Sequence, residues 1–339
     1  MRKIILGFIL VASLVAVVAG FLGWKIYGAN TLHQENKIIY VPSGSDYETL
    51  VTTLDTSGIL DDKRSFGWVS DAMNYKNRVK SGRYLIPTGQ SNRDLVSLLR
   101  SGQQEPVNLT ISHARLLGDV AAAISAQMEI DSISMMHALS NSTFLDTVGL
   151  TPATAIGLII PNTYQMYWDA SAENIADRLH KEYDIYWKDR ASSLEAIGLS
   201  QLEVSTLASI VESESQQKSE RPTIAGVYLN RLKRNIPLQA DPTVVYAVGD
   251  FTIRRVLNRH LEIDSPYNTY KNPGLPPGPI CMPSISSLDA VLNAEKHDYL
   301  FFCAKPGYNG THNFAKTNSE HERYARVYHR WLSQEGIKG

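Results

Sequence analysis

An excess of charge of either sign is the first thing this sequence lacks. Its 339 residues carry 33 Lys and Arg against 34 Asp and Glu, a formal net charge of −1. A nucleic-acid binder shows a basic excess or patch, so this balance argues against that class. Cysteine is nearly absent too. Cys281 and Cys303 are the only two, and they allow either one disulfide in an oxidising compartment or two buried free thiols. No internal repeat and no low-complexity linker is present, which excludes a repeat array. His312, His321 and His329 stand at no recognisable ligand spacing with acids, so no metal site and no cofactor is expected.

What is present begins with a long uncharged run. Arg2 and Lys3 precede Ile4 to Trp24, a stretch without a single charge. At about 1.5 Å per residue it spans roughly 30 Å, the thickness of a bilayer's hydrocarbon core. A cleaved signal peptide competes with this reading, but its apolar region is usually about 7–15 residues and ends in a small-x-small site. "AVVAG" fits that site poorly, and Trp24 and Tyr27 stand where an interfacial aromatic belt belongs. The expectation is an uncleaved single-pass anchor over residues 4–24. Arg2 and Lys3 stay cytoplasmic, and the rest lies outside the cytoplasmic membrane. Apolar residues make up 43% of the chain, enough for a sizeable core, and the 17 Tyr and 5 Trp offer ring faces for sugars or for packing.

After the anchor, strand-like Ile38–Val41 meets the breaker "PSGS", and Leu50, Leu54 and Ile59 follow at helical spacing. A helix is expected around Phe66–Met73 and a strand at Tyr84–Ile86. Another helix starts at a Ser91 or Asn92 cap, presents Leu95, Leu98 and Leu99, and stops at Gly102. Residues 37–104 thus read as a small α+β unit. Its strand–helix–helix–strand order resembles LysM-type modules, which bind N-acetylglucosamine-containing glycans; a plain packing unit is the alternative. Residues 105–337 read as a larger mixed domain. Helices are expected at 115–127, 133–139, 172–187, 202–215, 224–234 and 319–332, with strands at 107–112 and 299–304, and β-type character up to Pro161. Long helices with scattered strands give the fold class α+β.

The candidate chemistry starts at "LASIVESES". On a helix, Leu207, Ile210, Val211 and Glu214 share one face. Glu212 falls opposite, over Ser205, Ala208 and Ser209, a small-residue face that a ligand can approach. This spacing encloses both glutamates on opposite sides and does not choose between them. In "SERPTIAGVYLNRL", Ser219, Glu220 and Arg221 read as a helix start, with Pro222 in the first turn. "LQADPTVVYAVG" holds Gln239, Asp241 and Tyr246. "SPYNTYKNPGLPPGPI" sets Tyr267, Asn268, Tyr270 and Asn272 before a rigid Gly-Pro loop. Rings and amides of this kind suit a polyhydroxylated, acetamido-bearing ligand. "GTHNF" adds His312 beside Phe314.

Together these motifs, in this order and spacing over most of residues 150–330, resemble the membrane-anchored endolytic murein transglycosylases, the MltG/YceG-like family. The resemblance implies cleavage of the β-1,4 bond between N-acetylmuramic acid and N-acetylglucosamine within peptidoglycan strands. The muramoyl 6-hydroxyl attacks its own anomeric carbon and leaves a 1,6-anhydro end. It also implies a role in ending nascent strands, with peptidoglycan as substrate and peptidoglycan synthases as partners. The resemblance assigns catalysis to the glutamate after "SIV", Glu212, with Glu214, Glu220 and Arg221 in support. Burial of Glu212 beside apolar groups is then expected to raise its pKa, keeping a proton for the leaving oxygen. Asn162, Gln239, Asp241, Tyr246, Tyr267, Asn268, Tyr270 and His312 are the implied glycan-cleft residues. The chain departs from the family at Ile156-Gly157 and Pro161-Asn162, where many relatives carry acids, so no role of those acids transfers. A non-catalytic envelope protein that binds peptidoglycan and organises wall synthases is the competing reading. A metallohydrolase, which a chelator would silence, is a third.

Overall fold

The computed structural model of the protein describes residues 2–307 and 309–336. Packing divides the chain into two units. The first comprises Met1–Leu109 with Gln127–Ile130 and Tyr164–Ala170, and the second holds the rest.

In the first unit, α1 (Arg2–Tyr27) buries none of its residues and is long and apolar enough to cross a membrane. It is followed by β1 (Lys37–Val41), α2 (Tyr47–Thr56), α3 (Lys63–Ala72), β2 (Gly82–Ile86) and α4 (Asn92–Ser101). β1 and β2 pair antiparallel, Lys37 opposite Ile86 and Val41 opposite Gly82. The period-2 pattern sends Ile39 and Val41 inward while Ile38 and Tyr40 face out. Inside, Leu50, Leu54, Phe66, Tyr84, Leu95 and Leu99 close one core, each large apolar side chain contributing about 1.5–3 kcal/mol on burial. Caps fix where the helices begin. Asp46 accepts from the Thr49 amide, Asp62 from Arg64 and Ser65, and Ser91 from Asp94. Gly102, at φ 74, ends α4 in the left-handed conformation that glycine adopts without strain.

α1 does not run out into a free linker. Lys25 Nζ lies 2.6 Å from Asp62 Oδ2, and the Lys25 carbonyl accepts from Asn92 Nδ2 at 2.9 Å. Asn30 donates to Asn92 Oδ1 at 2.7 Å and accepts from the Asp62 amide at 2.7 Å. Asn30, Asn92 and Ser65 are all buried. The C-terminal end of α1 is therefore plugged into the starts of α3 and α4 by a largely buried polar joint.

Next come β3 (Val107–Ile111), α5 (Leu117–Ser125), α6 (Ser132–Leu139), α7 (Ser142–Asp146) and β4 (Asn162–Met166). β3 pairs with β4, and the division between the units falls within both strands. The apolar block before Pro161, expected to have β character, is instead a buried 3-10 turn, Ala155–Leu158. The strand begins only after Pro161. A short continuous apolar run carries no periodicity that separates strand from helical turn.

The second unit continues with α8 (Ala172–Lys188), α9 (Ala191–Ile197), α10 (Gln201–Glu214), α11 (Arg221–Lys233), α12 (Asp241–Val248), α13 (Asn258–Leu261), α14 (Ile285–Leu292), β5 (Phe301–Ala304), β6 (His312–Ala315) and α15 (Asn318–Gln334). β5 and β6 pair antiparallel, Phe301 opposite Ala315. Helices with separate two-stranded sheets make the fold α+β. α10 is its central rod. A Ser200–Glu203 capping box starts it, every residue from Val204 to Val211 is buried, and it packs on α11, α12 and α14. Its small-residue face is thus no open ligand surface, as the spacing had suggested. Ser209 Oγ accepts from the Ile280 amide at 2.9 Å. The small side chains let the Pro-rich loop, not a sugar, come close.

Candidate active site

The two glutamates at the end of α10 have opposite surroundings. Glu212 is clamped. Arg221, buried at the start of α11, donates Nη1 to Oε2 at 3.1 Å and Nη2 to Oε1 at 3.3 Å. At the start of α14, Ser284 donates its amide to Oε2 at 3.2 Å and its hydroxyl to the same oxygen, and the Ser287 hydroxyl adds a bond of 2.5 Å. The same guanidinium also reaches Ser286 and Ser287 at 2.9 Å. A carboxylate at a helix N-terminus with charge-assisted partners is held ionised. Burial pulls the Glu212 pKa up, but the two serines and Arg221 together outweigh it and hold the group below the ordinary value of 4.5. The expectation of a raised pKa at Glu212 is therefore corrected. The apolar neighbours are present, and the hydrogen bonds to the charged form win.

Glu214, the last residue of α10, has a different environment. Tyr228 OH, one helix away on α11, donates to Oε1 at 2.8 Å. Burial, only partly offset by that phenol, pushes the carboxyl up to about 7. Tyr228 is itself buried, and its own pKa rises through burial and the neighbouring carboxylate. Two cavities meet at Glu214. One is a cleft of about 620 Å³, whose walls include Arg115, Glu212, Glu214, Asp241, Tyr246 and Phe251. The other, about 360 Å³, is walled by Glu214, Tyr228, Arg231, Gln239, Asp241 and Tyr270 among others. Both sizes suit small-molecule or sugar-sized ligands. Glu214 and Asp241 are common to both. Asp241 opens α12 and accepts from Tyr270 OH at 2.6 Å.

The other residues singled out in the sequence divide by where they fall. Tyr246 lines the larger cleft, its ring 4.7 Å from that of Tyr267. Gln239, at φ +50, accepts from Arg231 Nη2 at 2.9 Å and lines the smaller one with Tyr270. Asn268 is fully buried, and its amide bonds the Leu261 and Ile263 carbonyls and the Tyr270 amide. It shapes the loop and has no surface for a glycan, contrary to expectation. His312 and Glu220 bond each other, Nδ1 to Oε2 at 2.9 Å, and lie outside both linings. Asn162 is exposed on β4, outside both as well, with its side chain turned onto the Thr163 amide. Cys281 lines the larger cleft, and both thiols are free.

The serine clamp was not foreseen, nor were Tyr228, Arg231, Arg115 and Phe251. Arg115 places its guanidinium 4.5 Å from the Phe251 ring centre in the larger cleft. "PSISSL" did carry a signal: a serine cap followed by apolar residues at helical spacing marks a helix start, and helix starts bind carboxylates.

The YceG-like family model matches residues 39–327. The chain is 32% identical over 330 residues to a Bacillus subtilis (strain 168) protein named endolytic murein transglycosylase, covering 90% of each. It is 29% identical over 313 residues to a protein of the same name from Streptococcus pneumoniae serotype 2 (strain D39), spanning 84% of this chain but only 56% of that longer one. A 2.6 Å crystal structure of a YceG-like protein from Listeria monocytogenes superposes with a TM-score of 0.56 at 30% identity, covering 86% of this chain and 99% of that one. With the match running from the first core strand into the last helix, this chain belongs to the YceG-like family.

Proposed function

We propose that this chain is an endolytic murein transglycosylase, with Glu214 as its proton-transferring group. The observation that carries the assignment is the Glu214 carboxyl, partly buried, bonded to one phenol and shared by two cavities. A strand cut internally must extend to both sides of the acid, and two cavities share Glu214 as a wall. Near neutral pH a carboxyl at about 7 is partly protonated, so Glu214 gives its proton to the glycosidic oxygen as the bond to the anomeric carbon breaks. The muramoyl 6-hydroxyl then attacks that carbon, and the Glu214 carboxylate takes up its proton. No water is consumed, and an intramolecular nucleophile replaces a bimolecular encounter. Asp241, oriented by Tyr270, offsets the oxocarbenium charge. Glu212, which the family resemblance had favoured as the acid, has its pKa lowered by Ser284, Ser287 and Arg221 and ties the end of α10 to α11 and α14.

The finer features belong to the same proposal. α1 is a single-pass anchor in the cytoplasmic membrane, with both units outside the cytoplasm. Residues 37–104 form a LysM-like unit that engages glycan, and residues 105–337 form the catalytic domain. Peptidoglycan synthases are the expected partners.

The test is direct. The purified full chain is incubated with peptidoglycan and the product ends are read by mass spectrometry. We expect 1,6-anhydromuramoyl ends, lost by about 10²–10⁴ in rate in Glu214→Gln and retained in part in Glu212→Gln. A silent Glu212→Gln beside an active Glu214→Gln, both folded, reverses the assignment of the acid. Reducing ends from the wild type would make water the acceptor, and no cleavage by folded protein would sink the enzyme reading.

A further inference from the structure

A groove in the first unit, remote in sequence from Glu214, lies where α1 leaves its apolar run. It measures about 420 Å³ and its walls include Leu22 and Ile26 of α1, Trp68 and Val69 of α3, Met73 just after it, and Arg93 of α4. Trp68 is 57% exposed and Trp24 60% exposed, a large apolar surface for an aqueous setting. One wall of the groove is the membrane helix itself. If α1 crosses the bilayer, Leu22 and Ile26 stand at the boundary of acyl chains and headgroups, and the polar joint at Lys25, Asn30 and Asn92 holds α3 against that boundary. Trp68 then sits at the depth that tryptophan favours in membranes.

Charge points the same way. Lys25 also lines the groove, but its charge is balanced by Asp62, and Asp62 is held down at about 2 by that lysine against the pull of burial. Arg93 is exposed, its guanidinium 5.6 Å from the Tyr27 ring centre, with no ion pair among the described residues. An apolar trough with one free guanidinium at its rim matches a lipid with an anionic headgroup.

We propose that this groove seats an anionic glycerophospholipid of the bilayer that α1 enters, its acyl chain along Leu22, Ile26, Trp68 and Val69 and its phosphate at Arg93. The first unit is then moored on the membrane surface and does not swing freely above it.

The full chain is reconstituted in phosphatidylcholine discs containing a minor fraction of acyl-brominated lipid, either phosphatidylglycerol or phosphatidylcholine. Comparing wild type with Trp68→Phe isolates the Trp68 emission. We expect this component to be quenched, and quenched more by brominated phosphatidylglycerol than by the same fraction of brominated phosphatidylcholine. Arg93→Gln removes that preference and leaves quenching by bulk lipid in place. Emission untouched by either lipid means the groove faces water and overturns the proposal. Equal quenching by both overturns the anionic headgroup. Protection of Trp68 in discs that hold two chains assigns the groove to a second copy and likewise overturns it.

Discussion

Glu212 and Glu214 are two residues apart and their pKa values shift in opposite directions, because one accepts several charge-assisted bonds and the other, in a more desolvated place, accepts one. For Glu214 the folded pKa of about 7 lies above the ordinary 4.5. The stability this gives is fully present below about pH 4.5 and is lost as pH rises through about 7. Glu212 works the other way: held below 4.5, its contribution is present above that pH and fades as acid protonates it. Two outcomes follow. The rate of cleavage should fall above pH about 7 as Glu214 loses its proton, a limb visible in kcat/KM against pH. In urea titrations, Glu214→Gln should flatten the decline in stability between pH 4.5 and 7 that the wild type shows. Glu212→Ala should cost about 3 kcal/mol at neutral pH, because it leaves buried Arg221 without its carboxylate. Helical spacing had already put Glu214 on the apolar stripe. What it could not supply was Tyr228, fourteen residues on, or serines more than seventy residues on, and those partners decide which carboxyl keeps a proton.

At the scale of elements, the long helices were readable because cap, apolar period and stop agree. α4 shows all three in Ser91, the Leu95–Leu99 face and Gly102. Two short helices escaped. α12 hides behind an Asp-Pro pair that also reads as a turn, and α14 follows a proline-rich loop and is only eight residues long. Both matter to the site, since α12 supplies Asp241 and the start of α14 supplies the serine clamp, beside the glutamates of α10. The joint between α1, α3 and α4 was also illegible, because asparagines 62 residues apart share no pattern. Asn92 there is 1% exposed and joins Lys25, Asn30 and Ser65. Replacing it with Ala leaves buried polar partners unmatched, at about 1–3 kcal/mol. Faster amide exchange should follow at residues 29–31 and 90–92, with exchange in α10 unchanged.

For the whole molecule, α1 is part of a folded unit and not an appendage. A chain beginning at residue 31 lacks Lys25 and Asn30, strands Asp62 and Asn92, and uncovers the groove beside Trp68. Such a truncated chain should melt earlier in its first unit than the full chain does, and should bind a hydrophobic dye that the full chain in discs does not. The joint also has a mechanical consequence. Because it grips α1 by a side chain, a backbone carbonyl and the following asparagine, it fixes the roll of that helix as well as its end. Any change inside the bilayer that rotates α1 about its long axis, such as a new stripe of small residues drawing it toward another helix, therefore turns the first unit by the same angle. If α1 crosses the bilayer, its sequence acts as a steering column for the first unit.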